Sequence, residues 1–293
     1  MENTLTIIMP AYNEEESLKS FIPEVIDNCK KNSYKLIIVN DGSKDNTKEI
    51  LKGFSDKEDF IKIINHKVNK GYGGAIKSGI LNATTDYVVT IDADGQHNPS
   101  DIPNLFSKLK ESDADMIVGS RIEEKINNYY RHVGKSIIRK FAKLVMTVPI
   151  RDINSGMKLY NTELAKKYIP LSPDTMAFSD IIALMFLNQK HLVLEEPVQI
   201  RAREKGKSTI STNTAFNTIL AILSVLVLFN PMRVFLPIAF INIVFGILWG
   251  LPFLIMGRGV SNGAIITIIS GILFFFLGLI ADQLSMLRKE RLK

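Results

Sequence analysis

Cysteine is nearly absent from this chain. Cys29 stands alone, which excludes an intramolecular disulfide and a cysteine-rich zinc site, and fits a reducing compartment. Its expected role is helix packing. A secretory signal is missing too: Met1–Thr4 runs straight into an apolar strand, without a basic flank or a long apolar core, so the N-terminal part is expected in the cytosol. Gly71, Gly73, Gly74 and Gly79 do not complete a dinucleotide fingerprint, because Ile76 stands where its last glycine belongs. Basic residues occur without interleaved aromatics, so nucleic acid is not the expected partner.

The most informative scarcity is that of charge near the C-terminus. From Thr209 to Ala281 only Arg233 and Arg258 are charged, whereas charges are frequent up to Ser208, so a domain boundary is expected at 208. Val234–Met256 and Ala264–Ala281 are uncharged, and about 20 apolar residues suffice to cross a bilayer as a helix. The short link Gly257–Gly263 is turn-like, so the two runs form a transmembrane hairpin within 234–287. Thr214–Phe229 is apolar but shorter and ends at Asn230 and Pro231. It reads as an interfacial helix within 209–233. Arg201, Arg203, Lys205, Lys207 and Arg233 before the spans and the basic tail 288–293 after them place both ends, and the catalytic part, on the cytoplasmic side of the cell membrane. Gly246, Gly250, Gly271 and Gly278 would permit close helix contacts, including those of a homo-oligomer.

Residues 1–208 alternate strand and helix signals. Apolar runs at Leu5–Met9, Lys35–Val39, Ile61–Ile64, Tyr87–Ile91 and Met116–Val118 are separated by helix-like stretches at 14–30, 44–52, 75–82 and 100–110. This pattern predicts an α/β domain with a mostly parallel, Rossmann-like sheet covered by helices. Ligands bind beyond the carboxyl ends of such strands. Those ends are polar: Pro10–Glu14, Asn40–Ser43, Asn69–Gly74, Asp92–His97 and Gly119–Arg121.

Asp92 and Asp94, two apart at a strand end with Gln96 and His97 following, would repel each other without a cation, and hard oxygen ligands favour Mg2+ or Mn2+. Taken alone the pair also fits a polar turn with Asp101 capping the next helix. Asp41, Ser43 and Asp45 read equally as a ribose- or base-binding turn and as a capped helix start. The glycines at 71–74 read as a loop that lets backbone, with Lys70, approach a donor. The net charge of +6 suits a phosphorylated substrate or an acidic bilayer surface.

Pro10–Glu14, Asn40–Ser43, Asp92–Asp94, Gly119–Arg121 and Asp152–Gly156, in that order, resemble the motifs of the second family of glycosyltransferases, with the GT-A fold. Within it the chain resembles the polyprenyl-phosphate sugar synthases, typified by dolichyl-phosphate mannose synthase and by bacterial relatives that use undecaprenyl phosphate. The resemblance covers about residues 5–208. It implies that Pro10, Tyr12, Glu14, Asp41, Lys70 and Gly71, with Asp92, hold the nucleotide sugar, linked to UDP or GDP, and that Asp92, Asp94 and Gln96 surround the metal. Arg121, Arg131 and Arg139, with Ser155 and Gly156, would face the acceptor phosphate. Arg203, Lys207 and Ser208 would close over the phosphates. Where many relatives have a glutamate after the acceptor loop, this chain has Asp180.

The reaction so implied is an inverting transfer of one sugar to a membrane polyprenyl phosphate, with Asp94, Arg121 and Arg131 as the groups nearest the chemistry. Such a phosphate has its second pKa near about 6, so the nucleophile is largely ionised and needs no strong base. Two rivals remain. A processive polysaccharide synthase would carry a Gln-x-x-Arg-Trp motif, yet the sole tryptophan, Trp249, lies in an expected span. A non-catalytic sugar-nucleotide sensor would not need Asp41, Asp92 and Asp94 intact.

Overall fold

The computed structural model describes residues 4–121, 149–201, 223 and 227–290. They fall into two compact units, residues 4–121 with 149–201, and the segment 227–290. The expected boundary at 208, most of the interfacial segment 214–229, and Arg131, Arg139, Arg203, Lys207 and Ser208 lie outside the described residues.

In the first unit, β1 (Leu5–Ala11), β2 (Lys35–Asn40), β3 (Ile61–Asn65), β4 (Tyr87–Thr90), β5 (Met116–Ser120), β6 (Lys158–Asn161) and β7 (Val193–Pro197) form one sheet in the order β3-β2-β1-β4-β6-β5-β7. All neighbours are parallel except β6, which runs antiparallel to β4 and β5. Helices α1 (Glu15–Asn32), α2 (Thr47–Ser55), α3 (Tyr72–Asn82) and α4 (Ile102–Ser112) connect the first five strands. Helix α5 (Thr162–Tyr168) follows β6, and α6 (Phe178–Asn188) precedes β7.

β1 is buried throughout, as expected of a strand covered on both faces. Leu5, Ile7 and Met9 pack with Leu18, Phe21, Ile22 and Val25 of α1 and with Leu105 and Leu109 of α4. On the other face Gly79 lets α3 lie directly on β1: a Cβ there would stand 2.4 Å from Ile8 Cγ2. The chain runs outward from β1 to β2 and β3 and then crosses to β4 on the other side of β1, so the β1 and β4 tips flank a topological switch, where open α/β sheets take their ligands.

The second unit is a hairpin of α7 (Met232–Ile255) and α8 (Asn262–Glu290). Both helices are long and apolar enough to cross a membrane, with mean hydropathies of 2.3 and 2.7 over their spans. Only 11% and 17% of those windows are buried, which does not fit core helices of a soluble domain. The glycines expected to allow close contacts act inside the hairpin. A Cβ on Gly246 would stand 2.7 Å from Ile268, one on Gly271 2.6 Å from Ile243 and 2.8 Å from the Ala239 carbonyl, and one on Gly278 2.8 Å from Phe235.

Candidate active site

The tips of β1 and β2 are stitched into one rim. Asn13, in the left-handed region at φ 54, donates its N–H to Ser43 Oγ at 3.0 Å and accepts from the Lys44 N–H at 2.8 Å. Asp45 accepts from the N–H groups of Glu15 and Thr47, and the Glu14 N–H reaches Thr47 Oγ1. Tyr12 stands exposed on this rim at 43%, with Pro10 just below it in the β1–β2 ladder. Glu14 accepts from Ser17 Oγ at 2.6 Å, so its carboxylate serves the first turn of α1.

Asp41 caps no helix. It is buried, and its oxygens accept from the N–H groups of Lys70 at 2.8 Å and Gly71 at 2.9 Å, and meet His66 Nδ1 at 2.6 Å. His66 Nε2 lies 2.8 Å from Ser78 Oγ. Asp41 is thus the anchor of loop 66–71. The glycines that follow make room for the chain itself: a Cβ on Gly71 or Gly73 would come within 2.5 Å of the carbonyls of Asp174 and Pro173. The Gly74 N–H donates to the Asp174 carbonyl, and Lys77 pairs with Asp174 at 2.7 Å. The expected donor-facing loop is therefore held from behind by segment 172–174.

At the β4 tip, Asp92 is fixed three ways. Its N–H donates to His97 Nδ1 at 3.0 Å, which leaves the His97 proton on Nε2. Its Oδ1 accepts from Tyr72 Oη at 2.8 Å. Its Oδ2 lies against Gly156, where a Cβ would stand at 2.4 Å. Burial, with Asp92 beside it, pushes the Tyr72 phenol well above its ordinary pKa, so the hydroxyl stays a donor. Asp94 Oδ1 accepts from the Gln96 N–H at 3.1 Å. The Gln96 carbonyl accepts from Arg201, and Asp101 accepts from the Gln199 N–H, so residues 199–201 are moored to the turn after Asp94.

Among the described residues no group of three or more His, Cys, Asp or Glu side chains is placed to hold a metal by itself. Two carboxylates are nonetheless a fitting donor set for Mg2+ or Mn2+, which keep water and take diphosphate oxygens as their remaining ligands.

On the acceptor side, Arg121 follows β5 and is clasped by Asp152, with Nε to Oδ2 at 2.6 Å, Nη2 to Oδ1 at 2.8 Å and its own N–H to Oδ2 at 3.1 Å. Burial raises the Asp152 pKa, but the hydrogen bonds and charge of Arg121 outweigh it and hold the carboxyl below its ordinary value. This edge of the guanidinium is committed to loop 151–156. Glu195 of β7 secures the same end of the loop by accepting from the N–H groups of Arg151 and Asp152.

Ser155 lies in the same loop. It is fully buried, its hydroxyl accepts from the Met157 N–H, and its carbonyl accepts from Lys158 Nζ and Ser179 Oγ. It shapes the loop and turns no hydroxyl outward. Lys158, wholly buried on β6, was not legible as a site residue. Burial drives its pKa down against the pull of Asp180 and Asp152, and burial drives Asp180 up against Lys158. Tyr72, His66 and Glu195 were missed because each acts through a partner distant in sequence.

The family model for "Glycosyl transferase family 2" matches residues 6–169, more than half of the chain. The chain belongs to glycosyl transferase family 2. A second model, "GtrB C-terminal hairpin", matches residues 230–287, the unit of α7 and α8. Among curated relatives, an undecaprenyl-phosphate 4-deoxy-4-formamido-L-arabinose transferase of Proteus mirabilis is 28% identical over 94% of this chain and 84% of its own length. A dolichyl-phosphate beta-glucosyltransferase of Dictyostelium discoideum is 30% identical over 64% of this chain, which spans 62% of that enzyme. Glucosyl-3-phosphoglycerate synthase from Mycobacterium tuberculosis, solved in complex with Mn2+, UDP-glucose and phosphoglyceric acid, shares the fold with a TM-score of 0.61. It is 17% identical, over 76% of this chain and 80% of that one. The mostly parallel GT-A architecture and the glycosyltransferase class expected from the motifs are borne out.

Proposed function

We propose that this glycosyltransferase moves a single sugar from a UDP- or GDP-linked donor to a membrane polyprenyl phosphate, with inversion at the anomeric carbon. The carrying observation is the pairing, in one chain, of the family 2 domain with the hairpin of α7 and α8, a pairing matched over 94% of the chain by an undecaprenyl-phosphate transferase. The hairpin has a chemical reason: a polyprenyl chain leaves the bilayer at roughly 0.8 kcal/mol per methylene, so the enzyme must come to the headgroup. The catalytic unit and both chain ends lie on the cytoplasmic face, with the unit ending at 208 and the segment 214–229 in the interface.

The rim of Tyr12 and Pro10, with the loop held by Asp41, receives the nucleoside. Asp92 and Asp94, with Gln96 beside them, hold Mg2+ or Mn2+ on the donor diphosphate, where the ion supplies charge stabilisation for the leaving group. Loop 151–156, braced by Arg121, Glu195 and Lys158, positions the acceptor phosphate together with Arg131 and Arg139. Arginine suits that task because its fork stays charged and binds phosphate by two parallel hydrogen bonds. Arg203, Lys207 and Ser208 close over the phosphates. No general base is required of the protein, so its contribution is orientation and charge.

The test is incubation of the purified chain in detergent with undecaprenyl phosphate, Mn2+ and a panel of radiolabelled UDP- and GDP-sugars, beside an Asp94→Ala control. Label entering the organic phase with one donor, and lost in the control, is expected. Donor binding without lipid labelling would favour the sensor reading.

A further inference from the structure

We propose that Tyr72 is a positioning residue for the diphosphate-metal end of the site. Its hydroxyl sets the direction of the Asp92 carboxylate and ties that carboxylate to the nucleoside end. The inference rests on the reading of Asp92 as a metal ligand.

Tyr72 is the first residue of α3 and emerges from a loop fixed on both sides. In front, Asp41 accepts from the N–H groups of Lys70 and Gly71, the two residues before it. Behind, the Gly74 N–H is held by the Asp174 carbonyl, at an approach so close that side chains at 71 and 73 are excluded. The ring therefore has a defined origin, and its Oη reaches Asp92 Oδ1 at 2.8 Å. The remaining constraints on Asp92 act elsewhere: His97 takes the backbone N–H, and Gly156 limits where Oδ2 can swing. Tyr72 thus supplies the side-chain hydrogen bond that fixes rotation of the carboxylate about its own axis. Carboxylate ligands are commonly held in this way by outer partners, whose loss costs about 10–100-fold in metal affinity. A continuous path, Asp41 to the backbone of 70–71 to Tyr72 to Asp92, joins the tips of β2 and β4. A nucleotide that orders the β2 tip would by this path also order the carboxylate that meets its diphosphate.

The experiment compares the full chain in detergent with its Tyr72→Phe and Asp92→Asn variants. Mn2+ binding is followed by the electron paramagnetic resonance of free Mn2+ with saturating UDP present. For Tyr72→Phe we expect Mn2+ affinity to fall about tenfold, the KM for Mn2+ in the transfer reaction to rise by the same factor, and kcat at saturating Mn2+ to stay within about twofold. UDP binding without metal should not change, since the Asp41 contacts survive. Wild-type Mn2+ affinity in Tyr72→Phe, with loss of binding in Asp92→Asn, would overturn the role of Tyr72 alone. A fall in kcat at every Mn2+ concentration, with weaker metal-free UDP binding, would also overturn it, by showing general structural support. Unaltered Mn2+ binding in Asp92→Asn, or none in the unmutated chain, would remove the metal reading itself.

Discussion

Gly156→Ala is the smallest change that should damage catalysis without unfolding the domain. The added Cβ would stand 2.4 Å from Asp92 Oδ2, 3.0 Å from Cγ and 3.1 Å from Oδ1. Ordinary van der Waals contact begins at 3.4 Å, so either the carboxylate or the loop must yield by about 1 Å. The loop resists, because the Gly156 carbonyl accepts from Thr90 Oγ1 at 2.7 Å and the Ser155 carbonyl is held by Lys158 and Ser179. Asp92, a third exposed, is freer to move, at the expense of its bond to Tyr72. A 1 Å misplacement of a group at the chemistry costs roughly 100-fold in rate. The assay is sugar transfer to undecaprenyl phosphate against Mn2+ concentration, with thermal unfolding as a control. A rate near that of the unmutated chain, with unchanged metal dependence, would refute the placing of Asp92 at the reacting end of the donor.

Three further outcomes follow from the same contacts. Asp41→Asn turns one acceptor into a donor opposite the N–H groups of Lys70 and Gly71, so about 1–3 kcal/mol of stability should be lost and donor affinity with it, as read by thermal unfolding and by UDP binding. Gly271→Leu drives a side chain into Ile243 and the Ala239 carbonyl, and should loosen the hairpin by about 1–3 kcal/mol, visible as increased protease cleavage of the reconstituted protein with UDP binding retained. Burial raises the Asp180 carboxyl from 3.8 to about 7, so between those values the folded protein binds a proton that the unfolded chain releases, and stability should fall as pH rises across that window. Asp180→Asn should flatten that slope in a series of melting curves from pH 4 to 7.

Strands β1 to β5 were legible because each is an apolar run ending in a polar tip, and the observed ends differ from expectation by two residues at most. β6 and β7 were not. β6 has four residues and begins with Lys158, a charge that pattern reading places outside; it is admitted to the core by hydrogen bonds to the Ser155 carbonyl and Ser179 Oγ. β7 reads as acidic, yet its Glu195 is spent on the backbone of 151–152. The motifs mark the strand tips, and the fold adds how some of their residues are held. Asp41, Arg121 and Ser155 carry the right chemistry for ligands, but in the fold their polar atoms are turned to loops 66–71 and 151–156. Local sequence shows that a carboxylate stands at a strand end. It does not show that a loop dozens of residues away will claim it. The glycines of α7 and α8 illustrate the same limit: their spacing announced close packing, and only the fold showed the partner to be the other arm of the hairpin.

The most direct measurement is mass spectrometry of the lipid recovered after reaction of undecaprenyl phosphate with the donor that labels it. A single species heavier by one sugar residue, retaining one phosphate, is expected. A ladder of sugar additions would point to a polymer synthase, and a diphosphate-linked product or an unmodified lipid would contradict transfer of one sugar onto the lipid phosphate.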